Sequence, residues 1–426
     1  MFSGWGLCYT VCLERACVLD ILIEEYEDSI LVAAMEGGRL EGYEVDPAFE
    51  EVRWGSVYYA KVKTLDPALD AAFLDLDGDV TGIIYNKDIR SVDAKGKVVK
   101  GGTVAIGKVL SPGDMIAVQA KTAYLPSAPS DHLSFEQKIP QMSMDITMPG
   151  RYLIYAPMLE KNRVSQRIRD KDLRKQIRAM MDGIEEPKGF IVRASAAGTQ
   201  TDMLVRESRI LKEAWEQMSA HFVGDSGQLI MLGPDAIQRT LSDHADKRID
   251  TVEVTIMDHL SAAEEWCTVY APDLVTKIDA IELPDATDDM ALFYERDMIG
   301  QIESLFDPYV LLSGGGSIIL QKTAALSAVD VNKGGDKRSN LAVNIEAAAE
   351  VARQMRLRNI GGIVVVDFLA FKSKKDEAAV LKALDVAVGG DPCTVQVHGR
   401  TALGLVEITR KRRTPPLEEQ FELPFM

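Results

Sequence analysis

Leu326-Ser327-Ala328-Val329-Asp330-Val331 and Ile363-Val364-Val365-Val366-Asp367-Phe368-Leu369 are two apolar runs, each carrying one aspartate near its end. Asp367 follows Asp330 by 37 residues. Between them, Val343 to Arg358 is rich in Ala and free of Gly and Pro. It repeats Ile345, Ala348, Ala352 and Met355 at helical spacing. Asn359 and Gly361-Gly362 supply a helix stop. The pattern predicts strand, helix, strand, and the β-branched run 363–369 predicts a fully buried strand.

Parallel neighbouring strands would bring both ends to one sheet edge, about 4.8 Å apart. Two carboxylates there are within reach of one divalent cation, and that edge is where open α/β sheets bind ligands. A carboxylate in a valine-rich strand is costly unless it is paired or metal-bound. Hard oxygen donors with room for water and phosphate suit Mg²⁺, with Mn²⁺ as an alternative. Two plainer readings stand beside this one. Asp330 caps a turn into Asn332-Lys333-Gly334-Gly335, or Asp367 pairs with Arg353, Arg356 or Arg358. Arg356 and Arg358 suit a phosphate-bearing substrate or a structural role equally.

Outward from this unit the chain is mixed α/β. Ser317 to Leu320 and Thr394 to Val397 read as strands and Glu377 to Val388 as a helix. Residues 205–300 alternate helical stretches (Leu211 to Met218) with strands (Thr251 to Ile256). The N-terminal part reads as β, with five short strand candidates at 57–62, 71–76, 82–85, 103–106 and 115–120. That is the size of an OB-type barrel, a frequent binder of single-stranded nucleic acid. Pro126, Pro129, Pro140 and Pro149 make 125–149 read as a linker or long loop. The run 161–178, with Arg163, Arg167 and Arg169, is the strongest basic concentration; it is either a solvated helix face or a phosphate contact.

At 426 residues the chain has room for two to four domains. Its 46% apolar and 27% charged residues are ordinary for a globular protein. A net charge of −17 excludes a uniformly basic nucleic-acid coat, so a polyanion partner must meet a local patch. Five cysteines fit a reducing compartment, hence a cytoplasmic location. No apolar run is long enough to span a membrane. Residues 1–21 hold Glu14, Arg15 and Asp20 and do not read as a signal peptide. Cys8, Cys12 and Cys17 lack a second Cys/His pair, so zinc is not expected. His-Glu-x-x-His, the Walker loop and the Gly-x-Ser-x-Gly elbow are absent; Gly314-Gly315-Gly316 is not followed by Gly-Lys-Ser/Thr.

Ala328-Val329-Asp330-Val331-Asn332, the block from Asn344 to Phe368 and Gly404-Leu405-Val406-Glu407-Ile408-Thr409-Arg410 resemble the catalytic core of the bacterial ribonuclease E/G family. Leu69-Asp70-Ala71-Ala72-Phe73-Leu74-Asp75 resembles its OB domain. The resemblance covers most of 50–413. It implies a mixed α/β, multidomain fold: an N-terminal extension (1–18), a ribonuclease-H-like scaffold (19–50 with 233–295) and an OB-fold barrel (51–124). A linker and degenerate 5′-sensor-like region (125–232), a deoxyribonuclease-I-like catalytic subdomain (296–413) and a tail (414–426) follow.

It implies an endoribonuclease that cuts single-stranded RNA to 5′-phosphate and 3′-hydroxyl ends, in RNA processing or decay. Asp330 and Asp367 match the Mg²⁺-binding aspartates and Asn332 the asparagine that orients the first. Phe73 matches a base-stacking aromatic; lying in an apolar strand, it reads equally as a buried core residue. The RNA-binding set on this reading is Phe73, Lys121, Arg163, Arg167, Arg169, Arg193, Arg356 and Arg358. Several positions depart from the family. Ile83 stands at a second aromatic position. The 5′-phosphate pocket reads Glu136-Gln137-Lys138-Ile139, Arg193-Ala194 and Ala402, which predicts little preference for 5′-monophosphorylated RNA. No Cys-Pro-x-Cys zinc-link follows the last block, so any homodimer is expected to form without a zinc bridge. Ala370 replaces an often acidic residue. The competing reading is an RNA-binding protein with little or no cleavage, acting in RNA or ribosome assembly. A small-nucleotide phosphoesterase would leave the barrel unused.

Overall fold

The computed structural model describes residues 18–92, 98–124, 139–165, 168, 171–182, 188–283 and 290–420. The zinc question at Cys8, Cys12 and Cys17, the pocket residues Glu136 to Lys138, and Arg167 and Arg169 all lie outside the described residues.

The chain forms two compact units. The first lies within 1–48, 247–267 and 273–426 and holds two sheets. In the smaller sheet the antiparallel strands Val18–Tyr26, Ser29–Glu36 and Arg39–Asp46 make a meander. Arg248–Val254 joins Val18–Tyr26 in parallel, and Ile278–Ala280 joins Arg248–Val254 in parallel. Segments more than 200 residues apart thus share one ladder. Leu22, Leu31, Leu40, Phe293 and Ile302 are among the buried side chains over this sheet.

The larger sheet carries the two aspartates. Its order is Tyr309–Leu311, Ser317–Lys322, Leu326–Asn332, Gly362–Asp367, Val406–Arg410 and Val395–Arg400. Only the central pair, Leu326–Asn332 with Gly362–Asp367, is parallel, as its helical crossover Asn340–Leu357 requires. Ser339 caps that helix by accepting from the Ala342 amide. Asn359 takes a left-handed backbone (φ 48°) after its end and ties its amide to Thr414 and Pro415. Helices Asn340–Leu357 and Lys374–Ala387 pack Val343, Ala347, Val351, Val380 and Leu384 onto Val329, Val331, Val364 and Val366.

The strand 363–369 was expected to be fully buried; it is buried on one face only. Val364 and Val366 are sealed while Ile363 is 48% exposed and Asp367 lies open. The helices cover a single face, so a β-branched run fills both a covered and an open side.

The second unit lies within 49–246 and 268–272. Val57–Asp66, Ala71–Asp75, Thr81–Tyr85, Gln141–Ser143 and Met115–Ala120 pair in sequence, and the last closes on the first. This is a closed five-stranded barrel around Ala72, Leu74, Ile84, Val118 and Met142. Four of its strands match the expected set. The fifth does not: Thr103–Ile106 is not a strand, because side chains take its backbone groups. Asn86 donates to the Val104 carbonyl at 2.6 Å and the Ile106 amide donates to Asp70 at 3.2 Å. Gln141–Ser143, from the stretch read as a linker, closes the barrel instead.

Beyond the barrel, Leu153–Tyr155 and Phe190–Val192 pair in a small sheet against helix Thr201–Ser219. Glu207 of that helix is buried and accepts the amides of Tyr152 and Leu153. A side chain at Gly150 would collide with it, since an added Cβ would lie 1.9 Å from its Oε1. Burial pushes the Glu207 carboxyl up to about 7, outweighing the amide bonds and Arg193 that favour the charged form. The folded state therefore holds this proton more tightly than the unfolded chain. The associated stability is full below about 4.5 and is lost as pH rises through about 7. Glu207→Gln should flatten the fall in Tm across that window, which corresponds to on the order of 3 kcal/mol of stability. Thermal unfolding as a function of pH checks this; parallel curves for the two proteins would refute it.

Candidate active site

Asp330 and Asp367 are register partners, the last pair of the parallel ladder. Alternation sets their direction: Val329, Val331 and Val366 point into the helix-covered core, so both aspartates project from the open face and are exposed. At the spacing of neighbouring strands their backbones are about 4.8 Å apart. The burial penalty anticipated from the valine-rich sequence therefore does not apply to either. Asn332 donates its Nδ2 to Asp330 Oδ2 at 2.8 Å, which fixes the carboxylate's orientation. Arg353, Arg356 and Arg358 do not pair with Asp367. Among the described residues no group of three or more His, Cys, Asp or Glu gathers as a metal cluster. The donor set is two carboxylates and a neighbouring amide, all oxygen on the acceptor side. That fits a hard cation which keeps water and substrate oxygens as its other ligands.

The loops that frame this edge are pinned. Asn344, fully buried on helix Asn340–Leu357, makes a reciprocal pair with Leu369: its Nδ2 donates to the carbonyl at 2.8 Å and its Oδ1 accepts the amide at 3.0 Å. This holds the chain two residues beyond Asp367. The Gly314-Gly315-Gly316 turn lies under the loop after Asp330. An added Cβ at Gly316 would be 2.9 Å from the Asn332 carbonyl, so close backbone approach explains that glycine. Sequence reading passed over Asn344, whose only signal is a polar residue on the inward face of an alanine-rich helix.

Arg356 and Arg358 stand near Asp367 in sequence but not in space. They end the helix, and the strand Gly362–Asp367 then runs about 17 Å to the aspartate. Arg358 is buried and donates to Gln354, Asp307 and Ser304 oxygens, and burial lowers its guanidinium to about 10. Arg356 reaches Glu41 at 3.4 Å.

In the second unit Phe73 is half-buried on the outer face of the barrel, where its register partner is Ile83. Tyr85, two residues on, shares that face, with the Lys87 ammonium 5.5 Å from its ring centre. Sequence reading noted Ile83 and missed Tyr85, which the pleat places diagonally from Phe73. Lys121 pairs with Asp88 at 2.9 Å. Arg163 is exposed on a short strand. Arg193 is buried and committed to the Gly150 carbonyl, Ser242 and Asp243.

The fold and the paired strand-end aspartates define a multidomain α/β protein with an oxygen-donor site on an open sheet face. The sequence profile of the ribonuclease E/G family matches residues 147–413, and the chain belongs to that family. It is 28% identical to ribonuclease G of Escherichia coli strain K12 over 94% of this chain and 81% of that protein. It is 29% identical to ribonuclease E of Nostoc sp. strain PCC 7120 over 86% of this chain and 52% of the relative. For ribonuclease E of Haemophilus influenzae the identity is 27%, over 92% and 41%.

Asn344→Ala would leave the Leu369 amide and carbonyl without their partner. The expected loss is about 1–3 kcal/mol of stability, read as a lower urea midpoint. An unchanged midpoint would show that the loop after Asp367 is held by other contacts.

Proposed function

We propose that this protein is an Mg²⁺-dependent endoribonuclease that hydrolyses single-stranded RNA to 5′-phosphate and 3′-hydroxyl ends. Membership of the ribonuclease E/G family supports the endoribonuclease class. The observation that carries the metal-dependent reading is the register pairing of Asp330 with Asp367. Asp330 and Asp367 would hold the ion, and Asn332 would keep Asp330 aimed at it. Magnesium bound there supplies a more acidic water and charge neutralisation at the scissile phosphate. Asn344 keeps the Asp367 strand end in place through Leu369. Phe73, with Tyr85 beside it, offers sequence-tolerant stacking to bases, worth about 1–3 kcal/mol each.

The domain reading rests on topology. A three-strand meander extended by two parallel strands supports a ribonuclease-H-like scaffold, and the six-stranded sheet with two helices on one face supports a deoxyribonuclease-I-like subdomain. The closed barrel supports the OB assignment. No helix among the described residues is long and apolar enough to cross a membrane.

Asp330→Asn and Asp367→Asn should each cut Mg²⁺-dependent cleavage of an unstructured RNA by about 100-fold or more, with RNA affinity retained. Gel-based cleavage alongside fluorescence anisotropy checks this. Wild-type protein that binds RNA but never cuts it would instead favour the assembly-factor reading. Because Arg193 is committed within its own unit and Ala194 follows it, 5′-monophosphate and 5′-hydroxyl forms of one substrate should be cut at comparable rates. A large monophosphate advantage would overturn that expectation.

A further inference from the structure

The two strands that carry Asp330 and Asp367 each run into a lysine-bearing loop at the same sheet edge. Residues 333–339 contain Lys333, Asp336, Lys337 and Arg338; residues 368–373 contain Lys372 and no acid, and Lys374 and Lys375 open helix Lys374–Ala387, whose first turn also holds Asp376 and Glu377. Asp336 and Arg338 neutralise each other, since the Arg338 guanidinium binds the buried Asp336 carboxylate at 2.6 Å. Five lysines remain. Lys337, Lys372, Lys374 and Lys375 are exposed, Lys333 is half-buried, and none has an ion pair among the described residues. In a chain with 65 acidic and 48 basic residues, such a local excess runs against the overall balance.

Both loops are fixed in place. Arg338 also reaches Glu346 of helix Asn340–Leu357 at 2.5 Å, and Glu346 accepts the Ser313 amide at 2.7 Å. Gly314 makes this possible: an added Cβ would lie 2.2 Å from Asp336 Oδ2. The second loop is held by the Asn344–Leu369 pair, by Asn340 donating to the Ala370 carbonyl at 3.2 Å, and by Ser373 capping helix Lys374–Ala387. The nearby Arg400 is already occupied, lying 5.3 Å from the Phe371 ring centre and bonding the Gly404 carbonyl.

We propose that Lys333, Lys337, Lys372, Lys374 and Lys375 form a clamp for the phosphates of a single RNA strand around the Asp330 and Asp367 edge. Ammonium groups are compact point charges that accept many approach angles, which suits backbone contact without sequence choice. Rigid loops with free side-chain ends position that charge at little ordering cost. The proposal rests on the nuclease reading of this edge and adds what retains the substrate there.

The test uses full-length protein and a fluorescein-labelled unstructured RNA. Binding is measured by anisotropy in the Asp330→Asn background and cleavage in the wild-type background with Mg²⁺. The variants are Lys372→Ala/Lys374→Ala/Lys375→Ala and Lys333→Ala/Lys337→Ala. Lys382→Ala/Lys411→Ala removes two exposed lysines outside the two loops as a control. The triple variant should raise Kd and KM by about tenfold or more and make the slope of log Kd against log salt shallower by about 2. The control should match its parent. A triple variant with unchanged Kd, KM and slope would overturn the clamp, as would a control that loses as much. The two readings separate cleanly. If Asp330→Asn still cuts while the lysine variants bind weakly, the clamp stands and the catalytic assignment falls. If Asp330→Asn is inactive and the lysine variants are silent, only the clamp falls.

Discussion

The site depends on one backbone ladder, the in-register parallel pairing of Leu326–Asn332 with Gly362–Asp367. Side chains alternate along a strand, so the packing of Val329, Val331, Val364 and Val366 against two helices decides where Asp330 and Asp367 point. A slip of one residue in either strand would carry its aspartate into the apolar core and a valine into water. The core that stabilises the subdomain and the geometry that aims the two carboxylates are therefore a single constraint. It also explains the placing of the supporting residues. Asn332 lies on the same face two residues past Asp330, and Asn344 holds the strand end from the helix behind.

Two like charges at neighbouring strand ends repel each other, and water screens that repulsion on an exposed face. The open face also leaves room for further oxygen ligands. A buried pair would have needed a cation or an arginine already in place. Arg353, Arg356 and Arg358 instead hold the helix to its surroundings, through Glu41 and the carbonyls of Leu40, Asp307 and Ser304.

Much of this was legible in the residues. The strand, helix and strand around Asp330 and Asp367 announce themselves as two apolar runs flanking a stretch of helical spacing, and four of five barrel strands are found as short strand candidates. The misses have physical causes. Gln141–Ser143 is three residues long and follows Pro140, too short for any period to register. Thr103–Ile106 has strand-like composition, but its carbonyl and amide are claimed by Asn86 and Asp70, distant in sequence. The half-open valine strand cannot be told from a closed one by composition. Tyr85 is visible only when the register, which pairs Phe73 with Ile83, places it diagonally from Phe73. The basic run at 161–178 is conspicuous in the sequence, whereas the lysines beside the aspartates come from two loops and the start of a helix and never form one run.

An acidic chain that handles RNA must solve a problem of range. At physiological ionic strength charges are screened beyond about 8 Å, so the net −17 repels a polyanion weakly at distance and the local surface decides at contact. On the proposed reading, two kinds of contact share the work. The aromatic face of the barrel holds bases through an uncharged, salt-insensitive term, and the lysine loops hold phosphates through a short-range, salt-sensitive one. Neither reads sequence by hydrogen bonding. On the same reading, selectivity would come from which strand is unpaired enough to lie across the open sheet face, where an extended backbone can bring a phosphodiester to the two carboxylates.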